Sequence, residues 1–186
     1  MTRRTLRLAT GLAGAILIAA LAQAPARAAD SGNTDSTSNP PVDCVKEKGE
    51  GWVYSEEEKK CVQQQTLNDE QLFQQGNALA VAGHYESALD VLGAVRNKQD
   101  ADVLTMIGYA TRKLGDTDEG IAIYHQALAI DPDNLNTREY LGEVYVAQGR
   151  IDLAEVQLDT LGRLCGADCE QYRDLEAAIS GAPGWN

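Results

Sequence analysis

The chain has 186 residues, 44% of them hydrophobic and 5% aromatic, with 16 Lys and Arg against 28 Asp and Glu for a formal net charge of −12. That length suits one domain with small appendages. So acidic a chain repels phosphate backbones and anionic lipid, which argues against nucleic-acid partners and for basic ones.

Residues 1–28 begin with Arg3, Arg4 and Arg7, run apolar from Leu8 to Leu21, and end on Ala26-Arg27-Ala28. A basic start, a short apolar run and small residues before a cut read as a secretory signal peptide. The rival reading is an uncleaved anchor, for which the run is short. Cleavage after Ala28 removes four arginines and no acids, leaving 12 basic and 28 acidic residues, a balance of −16. No transmembrane segment is then expected. Export carries the four cysteines to an oxidising compartment, where two bridges are expected among three pairings.

Residues 29–41, "ADSGNTDSTSNPP", are small, polar and Pro-terminated, and predict a disordered linker. Residues 42–65 predict a small hairpin. Trp52-Val53-Tyr54 has strand composition, Cys61-Val62 is the returning strand, and "SEEEKK" is the turn. A Cys44–Cys61 bridge would close it, a loop worth about 3 kcal/mol of unfolded-chain entropy. The hairpin reads as a stapled spacer or as a recognition module using Trp52 and Tyr54. The spacer reading is preferred, because the hydrophobic pair of so small a unit is usually its only core.

From Leu67 the composition is helical, and 67–180 predict one all-α domain. Residues 101–134 and 135–168 are two successive 34-residue stretches that align on themselves. Leu104, Ile107 and Gly108 answer Arg138, Leu141 and Gly142. Gly115 answers Gly149, and Gly120, Tyr124 and Ala127 answer Ala154, Leu158 and Leu161. A shorter copy at 69–100 supplies Leu72, Gly76, Gly83, Ala88, Leu92 and Val95.

These residues resemble the tetratricopeptide repeat (TPR) family. Residues 101–134 match its pattern at Leu104, Ile107-Gly108, Gly115, Tyr124, Ala127 and Pro132. Thr111 departs from the usual aromatic, which Tyr145 restores in the next copy. Gly120 departs from the usual Ala, and Gly166 stands where Pro would end the third repeat. The resemblance implies a helical solenoid of three helix-turn-helix repeats, near the minimum that buries a continuous core. Gly108 and Gly142 are expected to let the two helices of a repeat approach. Gly83, Gly115 and Gly149 suit left-handed helix ends, and Asp131-Pro132 ends a second helix.

Residues 169–180 predict a capping helix. Tyr172, Leu175 and Ile179 share one face, and Asp168 with Gln171 suggests a capping box at its start. Cys165 and Cys169 flank Gly166-Ala167-Asp168 at the corner before this helix, where a bridge is sterically accessible. A redox site prefers C-x-x-C in a βαβ setting, and zinc wants four ligands; no His lies near. A structural bridge is therefore expected, with no metal and no cofactor. His84 and His125 have no acid and nucleophile arranged around them, and both read as solvated side chains. No catalytic motif stands out, so the chain reads as a non-enzyme.

The resemblance further implies protein–protein recognition through a concave groove lined by positions 2, 5, 9 and 12 of each first helix. Here these are Glu70, Phe73, Asn77 and Ala80; Asp102, Thr105, Tyr109 and Arg112, with Lys113 beside them; and Asn136, Glu139, Glu143 and Val146. The candidate binding residues are Phe73, Asn77, Tyr109, Arg112, Lys113, Glu139 and Glu143. They predict an apolar anchor near Tyr109, an acidic group near Arg112 and a basic residue toward Glu143. Tyr109→Ala with Arg112→Ala is expected to spare the fold and weaken binding by about 2 kcal/mol or more. The family's carboxylate clamp wants Lys where Phe73 stands. The leading reading is an envelope scaffold or adaptor. The alternatives are a structural subunit of an envelope assembly using a convex or edge surface, and an exported thiol-disulfide factor. The resemblance to envelope members of the family points to a bacterial periplasm, with outright secretion as the alternative.

Overall fold

The computed structural model describes residues 40–182. The expectations for the signal peptide, 1–28, and for 29–39 of the linker lie outside them. The described chain opens with a five-residue helix, α1 (Cys44–Lys48), which composition did not predict. Asp43 starts it, accepting from the Lys46 amide at 2.9 Å. Strands β1 (Trp52–Ser55) and β2 (Lys60–Gln63) follow as an antiparallel hairpin, with Val53 opposite Val62 and Tyr54 opposite Cys61.

The hairpin is not a spacer. Its period of two buries Val53 and Ser55 and leaves Trp52 and Tyr54 half-buried. Val53 and Val62 join Leu67, Leu72, Leu79 and Leu92 in one core. The hairpin therefore closes the N-terminal end of the repeat array, a surface that would otherwise be apolar and open. Two carboxylates fasten it. Asp90 accepts from the Gly51 amide at 3.1 Å and from the Gln64 side chain. Asp43 accepts from the Ser87 hydroxyl at 2.9 Å and lies 3.1 Å from His84 Nδ1. His84 is thus engaged with the hairpin segment rather than solvated alone, and His125 likewise meets the Tyr145 hydroxyl at 3.2 Å.

The Cys44–Cys61 disulfide, Cα–Cα 5.7 Å, ties α1 to β2. Because this unit shares a core with the first repeat, Cys44→Ser with Cys61→Ser is expected to lower the stability of the helical domain by about 3 kcal/mol. Urea unfolding followed by helical circular dichroism reads this. An unchanged midpoint would show that hairpin and solenoid unfold separately.

Three helix pairs follow: α2 (Asp69–Val81) with α3 (Tyr85–Gly93), α4 (Ala101–Lys113) with α5 (Thr117–Ile130), and α6 (Leu135–Ala147) with α7 (Ile151–Leu164). The capping helix is α8 (Glu170–Ser180). Each first helix starts at a side-chain cap. Asn68 accepts from the Gln71 amide, Asp100 from the Val103 amide and Asn134 from the Thr137 amide. Each inter-helix turn has its glycine at positive φ: Gly83 at 84°, Gly115 at 110° and Gly149 at 71°.

Helix approach is controlled by glycines at one register. A Cβ on Gly108 would lie 2.9 Å from the Tyr124 ring, so α4 and α5 approach as expected within one repeat. Gly120 faces back, where a Cβ would lie 2.9 Å from both the Gly108 carbonyl oxygen and Arg112 Cβ. The departure from Ala at Gly120 is therefore what this close pair requires. Gly142 differs from expectation: the side chain over it is Leu175 of α8, not a residue of α7. In the first two repeats the second helix covers this glycine, with Leu92 over Gly76 and Tyr124 over Gly108; at Gly142 α8 takes that place.

Cys165 and Cys169 are bridged at the corner between α7 and α8, Cα–Cα 5.8 Å. Cys169 is itself the N-cap of α8 and makes no side-chain cap. The expected capping box of Asp168 and Gln171 does not form. Gln171 instead donates to Asn136 Oδ1 at 2.9 Å, joining α8 to α6.

Candidate functional site

The first helices α2, α4 and α6, followed by α8, line a concave cavity of ≈ 250 Å³. Its walls include Phe73 and Asn77 from α2, Asp102 and Thr105 from α4, Asn136 and Glu139 from α6, and Glu170 and Gln171 from α8. Helical spacing puts i, i+3 and i+4 positions on one face, so side chains from four helices converge. Met106 and Tyr140 also line it. The sequence did not single out these two, although they hold the same repeat register, one residue beyond Thr105 and Glu139.

Below the cavity the helices are joined by a buried hydroxyl pair, Thr105 with Thr137. Glu139 is 3% exposed, and its Oε1 has no hydrogen-bond partner. Burial pushes its carboxyl up to about 9, with Glu143, Asp174 and Glu170 adding to the effect. The acid is therefore neutral at pH 7 in the unliganded fold. Glu139 is thus buried where the sequence placed it on an open acidic end, because α6 packs against both α4 and α8. Ala80 and Thr105, also placed on the groove face, are buried as well.

Beside the cavity lies an aromatic row. Tyr109 meets Tyr140 at 5.2 Å and Tyr85 at 6.1 Å between ring centroids, and Tyr140 meets Tyr124 at 6.4 Å. Arg112 and Lys113 approach the Tyr109 ring at 5.5 and 5.4 Å. Arg112 donates to Glu143 at 3.5 Å, and both side chains are only 14% exposed. Burial pushes the Tyr124 hydroxyl up to about 12, moderated by Arg112 beside it.

Tyr109, Arg112 and Glu143 are thus packed among neighbours, whereas Phe73, Asn77 and Glu139 line the cavity. The expected harmlessness of Tyr109→Ala with Arg112→Ala is corrected accordingly. Removing a nearly buried Arg takes away its ion pair with Glu143, and removing the ring opens the aromatic row. The double variant is expected to lose about 3 kcal/mol or more of stability. A thermal melt by circular dichroism checks this, and an unchanged melting temperature would return both residues to the solvent-facing groove.

Repeated helix pairs with a concave face built from their first helices define a helical-repeat binding protein. Two tetratricopeptide-repeat profiles match the chain, at residues 73–134 and 112–179, together more than half of it. The chain belongs to the tetratricopeptide-repeat family. Over 73 residues it is 34% identical to a curated protein of Caenorhabditis elegans, the BBSome complex member bbs-4; the match covers 39% of this chain and 16% of that protein. It is similar in fold to the type III secretion translocator chaperone SycD of Yersinia enterocolitica. That likeness has a TM-score of 0.51 at 23% identity and covers 61% of this chain and 86% of the other.

Proposed function

We propose that this chain is an exported, non-enzymatic adaptor of the bacterial cell envelope that holds a segment of a partner protein in its concave face. The observation that carries this reading is the convergence of side chains from all three repeats and α8 on one cavity, with aromatic, amide and acidic groups side by side. A partner segment laid there is read by several helices at once. Tetratricopeptide repeats point to protein partners, and no described helix is long and apolar enough to cross a membrane. The periplasm is proposed from the basic, then apolar, then small-residue pattern of 1–28, and it suits two disulfides.

The test is affinity capture from an envelope extract with the wild type and with Asn77→Tyr, which fills the cavity from its α2 wall. The wild type is expected to retain a discrete partner, and the folded variant is expected to lose it. Capture that is equal in both would move the interface away from the cavity. N-terminal sequencing of the exported chain should begin at Ala29.

A second reading is favoured by a different surface. Ile151, Val156 and Leu164 of α7 are 36%, 54% and 38% exposed, large apolar residues shown to water on a second helix. They suit a structural subunit docked through its convex side. Capture abolished by Val156→Glu but indifferent to Asn77→Tyr would select it.

A further inference from the structure

Glu139 is the unusual group of the cavity. A carboxyl 3% exposed, with an oxygen lacking any hydrogen-bond partner, is costly to keep unless something completes it. It is not a metal cage: among the described residues no group of three or more His, Cys, Asp or Glu is arranged to hold an ion. Its surroundings are organic. Phe73 and Tyr140 provide aromatic surface, and Asn77 and Asn136 provide amides. At the rim stand two exposed acids, Asp102 and Glu170. Acids at the mouth attract a cation, aromatic walls favour its alkyl stem and charge, and the inner carboxyl is its counter-ion.

We propose that the cavity receives one basic side chain, lysine or arginine, of the bound protein segment, paired with Glu139 between Phe73 and Tyr140. The proposal rests on the groove reading above and names the chemistry of its occupant. Because burial holds Glu139 protonated in the unliganded chain, pairing requires its carboxylic acid to release a proton to solvent as the cation enters. The other ionisable groups facing it are Glu143 on its own helix, Glu170 and Asp174 on α8, Asp102 across the cavity on α4, and the Tyr124 and Tyr140 hydroxyls. Ion pairing then replaces the neutral buried acid, which makes binding pH-linked.

The probes are acetylated nine-residue alanine-serine peptides with one central Arg, Lys, Glu or norleucine, titrated into the full exported chain. Amide shifts read by NMR locate binding, and calorimetry in buffers of different ionisation enthalpy counts protons. The Arg and Lys peptides are expected to shift residues around Glu139 and Gln171, and to bind at least ~10-fold tighter than the norleucine peptide. They should release close to one proton each near pH 7. Glu139→Gln, uncharged and of the same shape, should keep its helical spectrum, lose that preference and release no proton. Equal binding of the Arg and norleucine peptides would overturn the proposal, as would cation preference surviving in the Gln variant. Occupation by millimolar Ca²⁺ with no response to basic peptides would overturn it in favour of a metal. If envelope capture depends on the cavity but these probes show no cation preference, the adaptor reading stands and this proposal fails. If the probes respond but capture ignores Asn77→Tyr, the adaptor reading fails instead.

Discussion

Leu175→Ala is expected to destabilise the folded chain by about 2–5 kcal/mol. Leu175 is 0% exposed and occupies the space over Gly142, where a Cβ would meet its side-chain carbons at 2.5 and 2.7 Å. It packs with Leu161 and Ala178 in a small third core, against Tyr172 and Ile179. So few residues close the end of the solenoid that the cavity has little to collapse onto. The converse substitution, Gly142→Ala, should also destabilise, by about 1–3 kcal/mol, because its methyl overlaps the fully buried Leu175 side chain. The two together should cost less than their sum, since truncating Leu175 vacates the space that a methyl on Gly142 needs. Urea unfolding of both single variants and the double variant measures the coupling. Strict additivity would show that α8 is not docked on Gly142.

Glu139→Gln is expected to change how stability depends on pH. The folded carboxyl is pushed up to about 9 by burial and by Glu143, Asp174 and Glu170, against about 4.3 for a glutamate in an unfolded chain. Between those values the folded state keeps a proton that the unfolded state has released. The stabilising contribution is therefore complete below about pH 4.3. It falls as pH rises, by up to about 1.4 kcal/mol per pH unit, and is gone above about pH 9. Wild-type chain should thus lose stability between about pH 5.5 and 8.5 at this site, while the glutamine variant should not. Unfolding midpoints at the two pH values give the comparison, and the remaining acids cancel in the difference between chains. Parallel pH dependence in both would mean that Glu139 is ionised in the folded state.

The same residue explains why the site is harder to read than the fold. A spacing of Gly, Leu and Ala that recurs every 34 residues is a property of one strand of text. It marks helix starts at Asp69, Ala101 and Leu135, because caps and glycine turns act within a few residues of themselves. The disulfides were legible for a similar reason: separations of 17 and 4 residues make local closure the simplest pairing. The short helix α1 is not legible in the sequence, since five residues carry no period.

Burial across elements obeys a different logic. Glu139 occupies a helix position that periodicity assigns to the groove, and it does line the cavity. Whether it meets water or a neighbouring helix depends on α4 and α8, and nothing in its own turn of helix encodes them. Gln171 looked like a capping partner for Asp168, yet Asn136 on another helix receives its amide. Leu175 looked like part of an amphipathic stripe, but its partner, Gly142, lies on α6, a helix far from it in sequence. Val53 rather than Trp52 entered the core because the hairpin had a helical surface to rest on. Helix propensity, caps and repeat length act over a few residues and are written locally. The charge state of a buried acid depends on which distant segment excludes the water around it, and that is settled when the helices stack.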